Sequence, residues 1–476
     1  MRINQNFLFL SLFFFTFALS VFPTDVFAED LGQEVLAIRR EVGGERYASA
    51  VADKAGEIEA SKRFKTGVTF EDILRDPDNL ELNFDFAKQQ IADNELLGSA
   101  ATLERILLVN PNLADVRLLY AVVLYRLDSL DEAKKELDSL KSVPLPKNIE
   151  AQVSEYQRRI KVKKRRTRFG LRQTVGWGYD TNRNTAPSSK FQLFAETPLG
   201  LEGTNRKRAD THFTNITTLD FSHDLGFQAG HEVFGSFTYF LQEQTKVDSL
   251  DIGSFQYELG SRYKSKWLNV SPSFVASNLL LSRETYLRTQ GINILADREI
   301  TKKLSGFMNF RYEYQDYSGI GENTTAFLRK GPEYDYLWGV NYALTPFMRI
   351  IPSIGYMNKN AKAEYYAYDR FNLNLNHTWV LRRGAFLINT VNFFYDRYDE
   401  PEVAIAGRFR HDKIFRYRVT AGAPLTALYI GKILPGLFKD IVFTLSYEYY
   451  RSLSNITNYT YTNNRIEGLF TKRWEF

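Results

Sequence analysis

Apolar and polar residues alternate in period two along most of the chain after residue 169. The final segment shows the pattern plainly. Ile466, Gly468, Phe470, Trp474 and Phe476 share one parity, while Arg465, Glu467, Thr471 and Arg473 share the other. A strand reads this way when one face meets an apolar medium and the other a polar one. Fourteen such segments can be read from Phe169 to the end. The first carries Phe169, Leu171, Val175, Trp177 and Tyr179 on one face, and the eighth carries Tyr334, Tyr336, Trp338, Val340 and Tyr342. The second, third, sixth and eleventh rest on weaker rows and are expected near 210–223, 230–242, 286–297 and 385–397.

Connection lengths support one closed sheet. Links after even-numbered segments are short, as at 224–227, 264–266, 344–346 and 382–384. Links after odd-numbered segments are longer, as at 184–208, 316–332 and 398–410. Short turns at one end and longer loops at the other are the asymmetry of outer-membrane barrels. Residues 423–438 break the rule as a long link on the short-turn side. No segment is apolar enough to span a membrane as a helix, so strands must do the spanning. A soluble sandwich would explain the alternation, but not the secretory leader and the terminal Phe together. The reading is an antiparallel outer-membrane β-barrel of about 14 strands over 169–476.

The period changes to helical before residue 169. An offset of 34 aligns Ala87 with Ala121, Ser99 with Ala133, Leu103 with Leu137, and Pro111 with the Pro144–Pro146 stretch. Small residues recur where helices would cross, and large aliphatics recur on the packing face. A helix pair repeating every 34 residues has the tetratricopeptide period. Helices are expected over 80–93, 96–109, 113–127 and 130–142, with a cap over 147–163. The cap ends in a basic run from Lys161 to Arg168, read either as a solvated linker or as a contact with anionic groups at the membrane face. Residues 1–28 read as a signal peptide, with Arg2, an apolar stretch from Phe7 to Phe22, and Val26-Phe27-Ala28 at the cleavage site. The domain plan is therefore signal peptide 1–28, a polar and partly helical segment 29–78, helical repeats with the basic cap 79–168, and the barrel 169–476.

Composition agrees with this plan. Aromatic residues make up 15% of the 476, with Tyr 28 and Phe 37, as interfacial girdles require. Cysteine is absent, which excludes disulfides and thiolate metal sites. The net charge of +5 carries no known nucleic-acid motif. Five histidines are present, and none has metal-ligand spacing or an elbow serine. His411-Asp412 is the weak exception and reads as a rim pair. No enzyme activity, cofactor or metal is expected.

The first barrel segment runs Gly176-Trp177-Gly178-Tyr179-Asp180-Thr181-Asn182-Arg183-Asn184, then Ala186-Pro187. That run, behind two tetratricopeptide-like repeats, resembles the surface lipoprotein assembly modifier family over about residues 79–476. The resemblance implies an outer-membrane translocator that moves surface lipoproteins or secreted proteins outward, with repeats that meet a periplasmic chaperone or client. Asp180, Asn182 and Asn184 share the parity opposite to Trp177 and Tyr179, so they should face the lumen at the outer rim, with Pro187 beyond them. They read as a structural cap on the first loop or as a contact with a passing client. Phe470, Trp474 and Phe476 resemble the signal read by the barrel-assembly machinery, and Lys472 interrupts it. Gly176, Gly178 and Gly468 would weaken the ladder between first and last strands, as a lateral opening requires. Polysaccharide export or passive diffusion is the alternative function. The expected setting is a monomeric barrel in outer-membrane lipid, with its N-terminal domain in the periplasm and no nucleic-acid partner.

Overall fold

The computed structural model describes residues 51–52, 64–142, 145–201, 203–227, 229–318, 325–427 and 440–476. The signal peptide and most of the segment 29–63 lie outside these residues, as does most of the long link 423–438. The chain forms two compact units, one helical and one a barrel.

Among the described residues the helical unit has six α-helices: α1 (Phe70–Arg75), α2 (Leu80–Ala92), α3 (Leu96–Val109), α4 (Ala114–Arg126), α5 (Leu130–Ser139) and α6 (Lys147–Lys163). Helix α1 opens on a capping box, in which Thr69 accepts from the Asp72 amide and Asp72 accepts from the Thr69 amide. Asn79 caps α2 by accepting from the Leu82 amide at 3.0 Å. α2 and α4 begin 34 residues apart (114 − 80), as do α3 and α5 (130 − 96). Ala87, Leu103, Ala121, Ala133 and Leu137 are all buried at the crossings. Ala87 and Leu103 belong to one apolar cluster with Ile91, Ile106 and Leu119. Ala121, Ala133 and Leu137 belong to a second, which Val153 and Ile160 of α6 complete. Pro111 lies between α3 and α4, where its carbonyl accepts from Arg117 at 2.6 Å. The Ser99 hydroxyl donates to the Ala87 carbonyl at 3.0 Å, so a polar residue occupies the position that alanine fills one repeat later.

The barrel unit begins with β1 (Thr167–Asp180), followed by a small hairpin of β2 (Phe191–Phe194) and β3 (Thr197–Gly200). The wall continues through β4 (Asp210–Asp224), β5 (Glu232–Gln244), β6 (Ile252–Arg262), β7 (Asn269–Leu281), β8 (Glu284–Thr301), β9 (Leu304–Tyr317) and β10 (Gly331–Thr345). It ends with β11 (Met348–Lys359), β12 (Tyr368–Val380), β13 (Phe386–Tyr398), β14 (His411–Pro424), β15 (Val442–Ser454) and β16 (Tyr461–Glu475). Fourteen strands close in order from β4 through β16 to β1, and β2–β3 stands apart as its own two-stranded sheet. The protein is thus a closed, antiparallel fourteen-strand barrel preceded by a short helical region. No described helix is long and apolar enough to cross a membrane.

Closure removes every free edge, which a strand in lipid cannot leave unpaired. The register sets the faces. Trp338, Ile354, Leu373, Phe393 and Phe415 are successive cross-strand partners from β10 to β14. All five are exposed on the outside of the wall. At the opposite parity the faces invert, and three residues along Arg370 and Asp396 are partners with both side chains buried. β7 and β8 meet in a two-residue turn, Ser282-Arg283, with φ of 49° and 69°. Positive φ at both positions matches the twist of the flanking strands.

Candidate functional site

The inner wall of the barrel is the candidate site. Its outward counterpart is an apolar band, and its own side chains are polar and charged. On β12 to β16 the charges pair closely. Arg370 holds Asp396 with two bonds of 2.6 Å. Arg416 reaches Glu448 at 2.7 Å, and Arg418 reaches Glu467 at 3.2 Å. Arg465 also donates to Glu467, at 3.1 Å. On β5 to β8 the buried polar residues are mostly neutral, among them Thr238, Gln242, Ser254, Ser273, Thr289 and Asn293. Strand periodicity brings both groups inward, because each sits at the parity opposite the apolar row.

At the seam, His212 of β4 lies over β1. Its Nδ1 is 3.3 Å from Asp180 of β1, and its Nε2 is 3.6 Å from Glu467 of β16. Gly178 makes room for this reach, since a Cβ there would collide with the imidazole. At Gly176 a Cβ would collide with the Gly468 carbonyl. These glycines let three strands approach closely. The Thr181 amide donates to the Asn464 carbonyl at 2.9 Å, and the Thr174 and Thr471 hydroxyls meet at 2.9 Å across the same seam. His212 had no motif to announce it, and only its parity on a weakly patterned strand points inward.

Asp180, Asn182 and Asn184 are buried, whereas Trp177 and Tyr179 on the other parity are exposed. Asp180 accepts from Asn463 at 2.7 Å. Asn182 closes a small loop by accepting from the Ala186 amide at 3.0 Å and donating to the Ala186 carbonyl at 2.9 Å. Asn184 accepts from the Arg208 amide and donates to the Arg206 carbonyl, both at 2.8 Å. The two asparagines therefore satisfy loop backbone that has no ladder partner, as Asn side chains do in turns. Pro187 follows in the same loop and is buried.

The long loops interlock over the end of the barrel where β1 finishes. The β2–β3 hairpin docks on the link between β13 and β14, with Ala195 and Glu196 amides donating to the Ala404 and Ile405 carbonyls at 2.9 and 3.0 Å. Asn458 donates to the Leu193 carbonyl at 3.0 Å and accepts from its amide at 2.6 Å. Ile405, Ala406, Ile456 and Tyr459 form a small apolar core beneath. Arg410 stacks between Tyr459 and Tyr398, 3.3 and 4.4 Å from their centroids. Tyr459 donates to Glu402 at 2.8 Å. Burial holds the Glu402 carboxyl above its ordinary range despite that bond, and burial pushes Tyr365 up to about 12.

Phe470, Trp474 and Phe476 are all exposed. Lys472, the interruption in that row, places its ammonium 5.3 Å from the Trp474 ring centroid. A lysine in this position keeps its stem against apolar surface and its charge over an interfacial ring. In the basic run, Lys163 pairs with Asp128 at 2.7 Å and Lys164 pairs with Asp131. His411 and Asp412 open β14 at the loop end of the barrel, and their side chains do not meet. Neighbouring strand residues face opposite sides, and Asp412 is instead held by Arg410 at 2.8 Å. Among the described residues no cluster of His, Asp and Glu could hold a metal ion.

No protein-family model matches this chain. No curated protein matches it either. Among solved structures it is similar to the outer membrane channel DcaP of Acinetobacter baumannii, with TM-score 0.36, 8% identity, and coverage of 64% of this chain and 96% of that one. It is also similar to OccAB3 of Acinetobacter baumannii, with TM-score 0.32, 11% identity, and coverage of 65% and 99%. OpdQ of Pseudomonas aeruginosa gives TM-score 0.31, 7% identity, and coverage of 65% and 99%. The barrel assignment stands on the strand pairing itself.

Proposed function

We propose that the protein is an outer-membrane channel with its short-turn end in the periplasm and its interlocked loops at the cell surface. One observation carries this reading. A closed barrel with an apolar outer band has a lumen wall lined by buried charged and amide groups. Such a wall suits a polar passage, because a membrane barrel that conducts sends its apolar side chains to the lipid and keeps polar ones along the lumen. The loop lid makes the channel gated. The test is conductance of the purified protein in planar lipid bilayers. Wild-type protein should show rare openings, and deletion of residues 189–200 should raise open probability by removing the hairpin that docks on 404–407. Absence of discrete conductance in both forms rejects the channel. Orientation is tested on intact cells with Ser189→Cys and Lys302→Cys, of which only the first should take a membrane-impermeant maleimide.

A second reading is protein translocation, as the resemblance to the surface lipoprotein assembly modifiers implies. The observation favouring it is the helical unit, whose two helix pairs repeat at the tetratricopeptide spacing. A passive pore has no use for such a unit. In this reading the helices receive a chaperone or client and the barrel conducts the client outward. A deletion strain should lose surface display of one or more proteins. Normal display of all of them in that strain overturns it.

A further inference from the structure

The short-turn end of the barrel has a charge pattern that neither passage nor translocation uses. The turns between β4 and β5 (225–231), β6 and β7 (263–268), β8 and β9 (302–303), β10 and β11 (346–347), and β12 and β13 (381–385) hold six cations. They are Lys264, Lys266, Lys302, Lys303, Arg382 and Arg383, and the same five turns contain no Asp or Glu. The loops at the opposite end are mixed, with Glu196, Asp248, Asp251, Glu364, Asp399 and Glu402 among their acids. One of the six is neutralised, as Lys264 lies 3.1 Å from Glu232. The other five are exposed and form no ion pair with any described residue. Cations held on short, tight turns cannot fold back to distant carboxylates, so their charge stays at the rim.

The rim is also apolar where it meets the lipid-facing band. Trp267 is 73% exposed, Phe227 60% and Ile300 57%. Arg298 stands 5.7 Å from the Trp267 ring centroid and so links the β6–β7 turn to the end of β8. Lys266, Lys302 and Lys303 flank that pair in sequence. An indole and an isoleucine that sit at an interface beside several cations match a lipid with apolar chains and an anionic headgroup.

We infer that the short-turn rim, centred on Lys266, Trp267, Arg298, Lys302 and Lys303, is a docking surface for anionic glycerophospholipid headgroups of the leaflet facing the periplasm. The occupant follows from continuity with the lipid-facing band, from charge complementarity, and from the proposed orientation. It holds whatever the barrel conducts. The surface would anchor the barrel's depth and favour anionic over zwitterionic neighbours.

The test is native mass spectrometry of the full-length protein titrated with phosphatidylglycerol, phosphatidylethanolamine or lipid A. Wild-type protein should retain phosphatidylglycerol several-fold better than phosphatidylethanolamine. The combined variant K266Q/K302Q/K303Q should lose that preference while its heat-modifiable gel migration stays normal. Trp267→Ala should weaken retention of both phospholipids and leave the preference intact. Equal retention of the two phospholipids by wild-type protein overturns the inference, as does a full preference in the glutamine variant. Stronger retention of lipid A than of phosphatidylglycerol overturns the assigned occupant. The maleimide labelling above then separates a wrong orientation from a wrong surface.

Discussion

The two units of this chain follow opposite burial rules. In the helical unit Leu103 is fully buried and closes a cluster with Ala87 and Ile106. In the barrel Leu373 is 44% exposed, while Arg370 and Arg416 are buried. The residue types are the same and their surroundings differ. Helices in water bury apolar surface against one another. A barrel in lipid sends it outward and turns its polar side chains to the lumen, where they must satisfy one another. A leucine therefore reports on its unit only through its period, 3.6 or 2.

Breaking the charged lumen should cost most. Asp396→Ala strands the Arg370 guanidinium and should lower barrel stability by about 3–5 kcal/mol. Urea titration scored by heat-modifiable migration measures it, and the double change Arg370→Met with Asp396→Leu should restore much of the loss. In the helical unit, Leu103→Ala should cost about 2–5 kcal/mol through a cavity. Hydrogen exchange should rise across α2 to α5 while barrel migration is unchanged. A barrel that weakens equally would deny the units their independence. On the lipid face, Leu373→Arg should cost about 2–4 kcal/mol. The same change on a water-exposed face would cost little, so a negligible effect would mean that this band does not meet lipid.

The loops give smaller effects. Asn182→Ala removes both bonds to Ala186 and should cost about 1–3 kcal/mol, read as faster exchange over 182–187. The least is a pH dependence of the lid. Glu402 has a carboxyl raised by burial above its ordinary 4.5. The protonated form is therefore favoured in the closed lid. Its stabilisation is fully present below the ordinary value and is lost as pH rises through the raised one. Protease cleavage within 399–410 should increase over that rise, and Glu402→Gln should flatten the curve.

Much of the fold was legible in residue order. The terminal row Ile466, Phe470 and Trp474 is exposed as its parity requires, and β16 runs to Glu475, one residue short of Phe476. Expected segments at 210–223 and 385–397 compare with Asp210–Asp224 and Phe386–Tyr398. Expected helices at 80–93 and 96–109 compare with Leu80–Ala92 and Leu96–Val109. Period and punctuation are local, so short windows hold them. The candidate site was read less completely. Parity turned Asp180, Asn182 and Asn184 inward, yet it could not say that Asn182 would clasp Ala186 or that His212 would reach Asp180. His411 and Asp412, neighbours in sequence, went to different faces and different partners.

The chain by itself determined two periods, a change between them near residue 169, fourteen strands, and which side chains face lipid. Each follows from backbone geometry acting on a local pattern. Only the tertiary structure decided which strands meet at the seam, that Gly176 and Gly178 are there to admit neighbours, that Lys472 rests over Trp474, and that loops more than 200 residues apart bind one another. Those are contacts between distant segments, and closure of the sheet sets them. No local window contains the distance from β1 to β16.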